Sequence, residues 1–350
     1  MVYKPAPTIA IVLLNWNGQK FLAQFLPSVT ANSIGHLIYV VDNHSTDNSV
    51  AYLQENYPQI KLIQHHQNLG FCEGYNQALR QIRADYYVLL NSDVEVTAGW
   101  LDPLITLMES DATIAACQPK LKSYQQRDYL EYAGAGGGLL DRFGYPFCRG
   151  RLFNSLEKDE GQYNDILLVF WATGACMFVR AATYHQMKGL EPAFFAHMEE
   201  IDLCWRFQNK GYKVMYCGQS EVYHVGGGTL PASNPRKTFL NFRNGLALLY
   251  KNFPARGFYS TLFTRLVLDW IAALKFLLSG HPADSWAVLK AHRAVWQNRS
   301  YWRQKRAEQF GLDLPNLSGW FNGSIVWEYF IRRKKSYREL KFKRFTSFRN

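Results

Sequence analysis

Four polar clusters in the first hundred residues each follow a short apolar run. They are Asn15-Trp16-Asn17-Gly18, Asp42-Asn43-His44-Ser45-Thr46-Asp47, Asn68-Leu69-Gly70 with Gly74 and Asn76 behind it, and Asn91-Ser92-Asp93. Their side chains suit a phosphorylated, hydroxyl-rich ligand. A carboxylate such as Asp93 is a hard oxygen donor for a divalent cation that neutralises a diphosphate, with waters and phosphate oxygens completing the shell. Asn-Ser-Asp is also ordinary turn chemistry. Asp42 either caps a following helix or accepts hydrogen bonds from a base N–H or a ribose hydroxyl. Asn15 to Gly18 reads as a tight turn or as a loop around a base. Gly70 and Gly74 allow close backbone approach to a ligand at a helix start.

A second group lies downstream. In His197-Met198-Glu199-Glu200-Ile201-Asp202, acidic residues in a first helical turn are favoured by the helix dipole. Three carboxylates in four positions exceed what capping requires. Like charges this close raise one another's pKa, which suits a general base. His224 precedes Gly226-Gly227-Gly228-Thr229, where it can reach a metal or phosphate or sit half-buried and satisfied. Arg243 and Asn244 follow on a helix, where the arginine either meets phosphate or faces solvent.

The elements that must position these residues alternate in period. Thr8–Leu14, Leu37–Val41, Ile60–Ile63 and Tyr86–Leu90 read as buried strands. Helices are expected at 18–30 and 70–83. This predicts an α/β fold with an open, mostly parallel sheet, whose ligands bind beyond the carboxyl ends of the strands. All four polar clusters fall there. Residues 121–165 are irregular and Gly-rich, as expected of a loop or subsheet flanking the site. Helices follow at 199–210 and 236–252, with short strands at 214–216 and 222–224 between them.

Charge divides the chain. Residues 1–250 hold 20 Lys and Arg against 22 Asp and Glu, whereas residues 251–350 hold 19 against 6. The stretch 258–279 is apolar but broken by Arg265, Asp269 and Lys275, which share one arc of a helical wheel with Thr261 and Ser279. It reads as an amphipathic helix that lies on a bilayer or docks on the preceding domain. The tail 332–349 interleaves nine Lys and Arg with Tyr337, Phe342, Phe345 and Phe348, a pattern expected of an anionic-lipid anchor or a frayed basic end. No zinc-finger, RRM or homeodomain pattern supports nucleic acid as partner. Six scattered cysteines without a C-x-x-C pair predict reduced, buried thiols. The apolar run at 8–14 is too short for a signal segment or membrane span, so the expected location is cytoplasmic, with attachment to the inner membrane face through 256–350.

In register, these segments resemble the family 2 glycosyltransferases, in the bacterial rhamnosyltransferase-like branch. The stretches that carry the resemblance are 11–18, 40–47, 68–76, 89–93, 173–177, 199–204 and 224–228, within about residues 8–250. It implies a GT-A fold: a catalytic domain over 1–255, with a nucleotide-binding half (1–120) and an acceptor-binding half (121–255), followed by a helical, basic region (256–350). It implies inverting transfer of a sugar from dTDP-rhamnose or a UDP-sugar to a saccharide acceptor, lipid-linked, in cell-envelope polysaccharide synthesis. By the resemblance Asn15, Asn17, Asp42, Asn68, Gly70, Asn76, Asn91 and Ser92 bind the nucleotide-sugar. Asp93 and His224 hold Mn²⁺ or Mg²⁺. Trp171, Thr173, Gly174 and Arg243 serve the acceptor side. Glu200 is the base, with Glu199 as the alternative. Asn91 stands where the family carries the first aspartate of its D-x-D motif. Competing readings are a non-catalytic nucleotide-sugar or glycan-binding module, a nucleotidyltransferase and a membrane scaffold. The carboxylates at 199–202 speak against the first, and strand one lacks the glycine-rich basic loop of the second.

Overall fold

A computed structural model describes residues 6–226, 234–309 and 316–346. Among the described residues fourteen strands and ten α-helices follow one another. In the first part these are β1 (Ile9–Asn15), α1 (Gln19–Ala31), β2 (Leu37–Asp42), α2 (Ser49–Asn56), β3 (Lys61–Gln64), α3 (Gly70–Leu79), β4 (Tyr86–Asn91), β5 (Val94–Val96), α4 (Asp102–Ser110) and β6 (Ile114–Ser123). The middle holds β7 (Gly138–Asp141), β8 (Pro146–Cys148), β9 (Arg151–Leu152), β10 (Ser155–Leu156), β11 (Ile166–Leu168), β12 (Cys176–Arg180), α5 (Ala181–Gln186), α6 (Glu199–Asn209) and β13 (Lys213–His224). The last part holds α7 (Pro235–Asn252), α8 (Phe258–Leu278), α9 (Pro282–Gln297), α10 (Arg299–Ala307) and β14 (Trp320–Phe321).

The main sheet has nine strands in the order β11-β13-β6-β12-β4-β1-β2-β3, with β5 paired to β13. Strands β4, β1, β2 and β3 run parallel, so their carboxyl ends share one edge. Strand β1 has no polar face because both of its faces are covered. Ala10 and Val12 belong to the core that includes residues of α3, α6 and α7, while Ile9, Ile11 and Leu13 belong to the core that includes residues of α1 and α4. Each fully buried Ile, Val or Leu contributes about 1.5–3 kcal/mol. The expected short strands at 214–216 and 222–224 are one strand, β13, irregular between Cys217 and Glu221. The apolar stretch 166–179 is two strands, separated by the 169–175 loop.

A second sheet, β10-β9-β8-β7-β14, forms from the Gly-rich segment. Its last strand comes from beyond residue 255, so the C-terminal region folds back onto it. The tail is not a free anchor. Tyr337 is buried against Tyr163, and Phe345 packs on Phe147 and Phe321. Phe348 lies outside the described residues. All six cysteines are buried thiols. No helix among the described residues is long and apolar enough to cross a membrane.

Helix α8 sits in the opposite sense to an amphipathic helix docked by its apolar side. The first part of its polar arc faces inward, with Thr261, Arg265 and Asp269 buried, whereas Lys275 and Ser279 at the helix end are exposed. Arg265 Nε donates to Asp269 Oδ1 at 2.8 Å, and its Nη1 reaches the Phe143 carbonyl at 3.0 Å. Asp269 also accepts from the Tyr145 hydroxyl at 2.7 Å.

Candidate active site

The parallel register sets the donor-side cluster. Asn15 ends β1 opposite Asp42, which ends β2. Asn15 Nδ2 donates to Asp42 Oδ1 and to Ser45 Oγ, each at 3.2 Å. Asp42 Oδ2 accepts from the Ser45 amide at 2.9 Å. Asn17, in left-handed backbone, accepts from the Thr46 amide at 2.7 Å and ties the first loop to the second. Gly18 lies between Asn15 and Ser92: a Cβ there would fall 2.4 Å from Asn15 Oδ1 and 3.6 Å from Ser92 Oγ. Asn43, which sequence reasoning passed over, donates to Asn68 Oδ1 at 3.1 Å and to the Gly70 carbonyl at 3.0 Å. Asn15, Asn17, Asp42, Ser92, Asn68 and Gly70 thus form one lip along the sheet edge. Asn76 is not on it. Its buried amide accepts from the Tyr184 hydroxyl and the Leu190 amide and donates to the Leu190 carbonyl.

Beyond β4 the chain turns at Asn91-Ser92-Asp93 into β5, which pairs with the end of β13 and sets His224 opposite Val94. His224 Nε2 therefore lies 3.2 Å from Asp93 Oδ1. On its other side Nδ1 is 3.3 Å from Glu131 Oε2, a residue of the irregular segment with no sequence signal of its own. All three side chains are buried. Burial disfavours the imidazolium, but Glu131 and Asp93 outweigh it and push His224 up to about 10. Burial likewise opposes ionisation of Asp93, and His224 overrides it, holding the carboxyl below its usual range. Among the described residues no three His, Cys, Asp or Glu side chains form a closed metal cage. Asp93 in the β4–β5 turn and His224 at the end of β13 would fit an open Mn²⁺ or Mg²⁺ site only with the imidazole giving up its proton to the incoming cation, the remaining positions going to phosphate and water.

The acidic pair enters from the opposite side. Phe195, His197 and Met198 have positive φ values of 65°, 70° and 70°, and α6 starts immediately after them. Non-glycine residues in this region cost about 1–3 kcal/mol each and persist only where surroundings over-determine them. Here Asn244 Nδ2 donates to the carbonyls of Phe194, Ala196 and His197 at 3.0, 2.9 and 2.8 Å. Arg243 donates to those of Ala193 and Phe194 at 3.0 and 2.7 Å and to Asn244 Oδ1 at 2.8 Å. Arg243 thus has its guanidinium occupied by backbone.

Glu199 is buried and Glu200 half-buried. Burial, and for Glu199 also the charge of Glu200, raises both carboxyls above the usual range. Among the described residues Glu199 Oε2, Glu200 Oε2, His197 Nε2 and Asn15 Oδ1 are buried atoms without a hydrogen-bond partner, which is uncommon in folded proteins. Burial, then Lys237, lowers His197 to about 4. Asp202, the third carboxylate, has a different task. It is fully buried and accepts from Arg206, Lys251 and Asn252 at 2.8, 2.9 and 2.8 Å.

The 171–175 loop joins the two sides. The Ala175 carbonyl accepts from the Asn91 amide at 2.9 Å. A Cβ on Gly174 would lie 3.6 Å from the Phe71 ring and 3.8 Å from Glu200 Cβ. Thr173 Oγ1 accepts from the Ala175 amide, and buried Trp171 donates from its indole to the Leu139 carbonyl at 2.9 Å. Gly174 is therefore the loop residue beside the acidic pair, and Trp171 and Thr173 are its packed supports.

The mostly parallel sheet, its helices and the helical region that follows make a GT-A fold. Residues 10–179 match the model of Glycosyl transferase family 2. It is similar to the N-acetylglucosaminyl-diphospho-decaprenol L-rhamnosyltransferase of Mycobacterium tuberculosis, 24% identical over 235 residues, covering 62% of this chain and 75% of that protein. It is similar also to the rhamnosyltransferase WbbL of Escherichia coli, 22% identical, covering 62% and 83%. Among solved structures it resembles GalNAc-T7 with UDP, GalNAc and Mn²⁺, with a TM-score of 0.55 and 14% identity. That match covers 71% of this chain and about half, 48%, of the GalNAc-T7 chain.

Proposed function

We propose that this glycosyltransferase moves a sugar, rhamnose from dTDP-rhamnose or a hexose from a UDP-sugar, with inversion onto a hydroxyl of a lipid-linked saccharide in cell-envelope polysaccharide synthesis. The observation that carries the reading is the loop contact between the two halves of the site: Ala175 holds Asn91, and the adjacent Gly174 faces Glu200. The lip from Asn15 to Gly70 binds the nucleotide. Asp93 and His224 would hold a divalent cation, which supplies charge neutralisation at the diphosphate. The two rhamnosyltransferase relatives support rhamnose as the sugar moved, the Mycobacterium tuberculosis one supports a lipid-linked acceptor, and Mn²⁺ in the GalNAc-T7 structure supports the metal.

Glu200 is the base in this reading. Its carboxylate takes the proton from the acceptor hydroxyl. The oxygen bonds to the anomeric carbon as the bond to the diphosphate breaks, and the electron pair leaves with the nucleoside diphosphate. A partnerless buried oxygen and a raised pKa suit a group that must accept a proton. Glu199 is more deeply buried, and the charge of Glu200 raises its carboxyl further. The test is transfer by Glu200→Gln and Glu199→Gln with a panel of nucleotide-sugars. Loss of transfer in Glu200→Gln with donor binding retained is the expected result. Near-normal transfer by Glu200→Gln beside an inactive Glu199→Gln overturns the assignment.

A further inference from the structure

Helix α8 turns its ion pair inward and its largest apolar side chains outward. Trp270 is 53% exposed, Ile271 59%, Leu274 55% and Leu278 79%, whereas Thr261, Arg265, Asp269 and Ala273 on the opposite stripe are buried. A surface helix ordinarily does the reverse. The buried stripe is held by Arg265–Asp269, Tyr145 and the Phe143 carbonyl, so the outward aromatic face is fixed by the fold. Helix α9 continues the surface. Ala287, Val288, Ala291 and Val295 face inward, and Trp286, Leu289, Lys290, Arg293 and Trp296 form the outer stripe at helical spacing. Trp270 lies 6.5 Å from His292 of α9, which joins the two faces. At the end of α8, Lys275 stands 4.6 Å over the ring of Phe330, whose neighbours Trp327 and Ile331 are also exposed. A contiguous patch of this size marks an interaction surface.

Charge selects the occupant. Between residues 256 and 307 both carboxylates, Asp269 and Asp284, are buried, while Arg256, Lys275, Lys290, Arg293, Arg299 and Arg303 are exposed. Outward tryptophans interleaved with cations and no exposed carboxylate match the headgroup level of an anionic bilayer. No helix among the described residues is long and apolar enough to cross a membrane, and a surface of this kind would lie on one instead. We infer that the outer face of α8 and α9 is a docking surface for an anionic lipid bilayer. The inference rests on the proposed function only for its purpose, which is to bring the site to a lipid-linked acceptor.

The test is co-sedimentation of the full chain with phosphatidylcholine vesicles, with and without phosphatidylglycerol, read together with transfer to a soluble acceptor. Binding is expected only with phosphatidylglycerol and is expected to weaken with salt. Lys290→Gln and Arg293→Gln should each lower it about fivefold. Trp270→Ser with Leu274→Ser should lower it at least tenfold while leaving soluble transfer unchanged. Equal binding of wild type and these variants overturns the inference, as does absence of binding. A concentration-dependent dimer that Trp270→Ser dissolves also overturns it, because the face then belongs to a second copy. Loss of soluble transfer in the wild type would count against the proposed function and leave vesicle binding readable.

Discussion

Asn244 Nδ2 donates to the His197 carbonyl at 2.8 Å, one residue before the left-handed Met198 from which α6 launches the glutamate pair. The same amide holds two further carbonyls of that loop, so one side chain over-determines a backbone that would otherwise relax. Asn244→Ala should leave the carbonyls unpaired and cost about 1–3 kcal/mol of stability. Because Asn244 acts through the loop, kcat should fall about tenfold to a hundredfold while the donor KM stays within about twofold. Steady-state transfer over a donor series reads this split. A rise in KM at unchanged kcat would show that the clamp serves binding instead.

The glutamate pair predicts opposite signs for activity and stability. Burial raises both carboxyls, and the charge of Glu200 raises Glu199 further, so the acidic limb of kcat should lie above the ordinary carboxylate range near pH 4. A native pKa above the unfolded one means that the folded chain binds more protons across that interval. Stability then declines as pH rises through it. Glu199→Gln should therefore melt higher than wild type at about pH 8, with the difference vanishing below about pH 4. Each kcal/mol gained moves Tm by about 2–4 °C. Melting curves at the two pH values suffice, and equal Tm at about pH 8 sinks the idea.

How far the sequence carried this picture depended on whether a residue's task left a local pattern. Strands β1, β2 and β4 were legible because burial on both faces forces unbroken apolar runs, and the polar residue that ends each run is then conspicuous. Asn15, Asp42 and Asp93 were found this way. Glu131 was not, because it reaches His224 from an irregular segment held only by long-range pairing. Asp202 looked like a member of the acidic triplet, yet its cation, Lys251, lies 49 residues away on α7. The arc of Arg265 and Asp269 was visible on a helical wheel, but its direction was not. Only the partners Tyr145 and Phe143, far back in the chain, decide that it points inward.

Asp93 and His224 should act as a unit. Asp93→Asn keeps the shape and removes the charge, leaving the imidazolium paired with Glu131 alone. With Mn²⁺ present, UDP or dTDP should raise the melting temperature of the wild type. Saturation at 100 times Kd adds about 2.7 kcal/mol. That increment should shrink in Asp93→Asn and in His224→Gln, and chelator should abolish it in the wild type. Nucleotide stabilisation that is indifferent to chelator would remove the metal from the proposal.

The contact between Asp202 and Lys251 joins α6, which carries the glutamate pair, to α7. Both side chains are buried, and Lys251 Nζ also reaches Glu191 Oε2 at 2.9 Å. Glu191 in turn accepts from the Tyr301 hydroxyl, which brings α10 into the network. Burial works against the Asp202 charge, but Lys251 and Arg206 hold its carboxyl down to about 2. A depressed native pKa adds stability above the unfolded value near 4, and that stability is lost as pH falls towards about 2. Lys251→Met removes the cation shared by two buried carboxylates, leaving Asp202 with Arg206 and Asn252 and Glu191 with the Tyr301 hydroxyl, at a cost of about 3–5 kcal/mol near neutral pH. Its Asp202 carboxyl should also protonate at higher pH, so the deficit against wild type should narrow as both carboxylates neutralise in acid. Urea unfolding at about pH 7 and about pH 3 measures the two deficits. If they are equal, Lys251 stabilises the junction by packing its alkyl chain, and the ion network contributes nothing to holding α6 on α7.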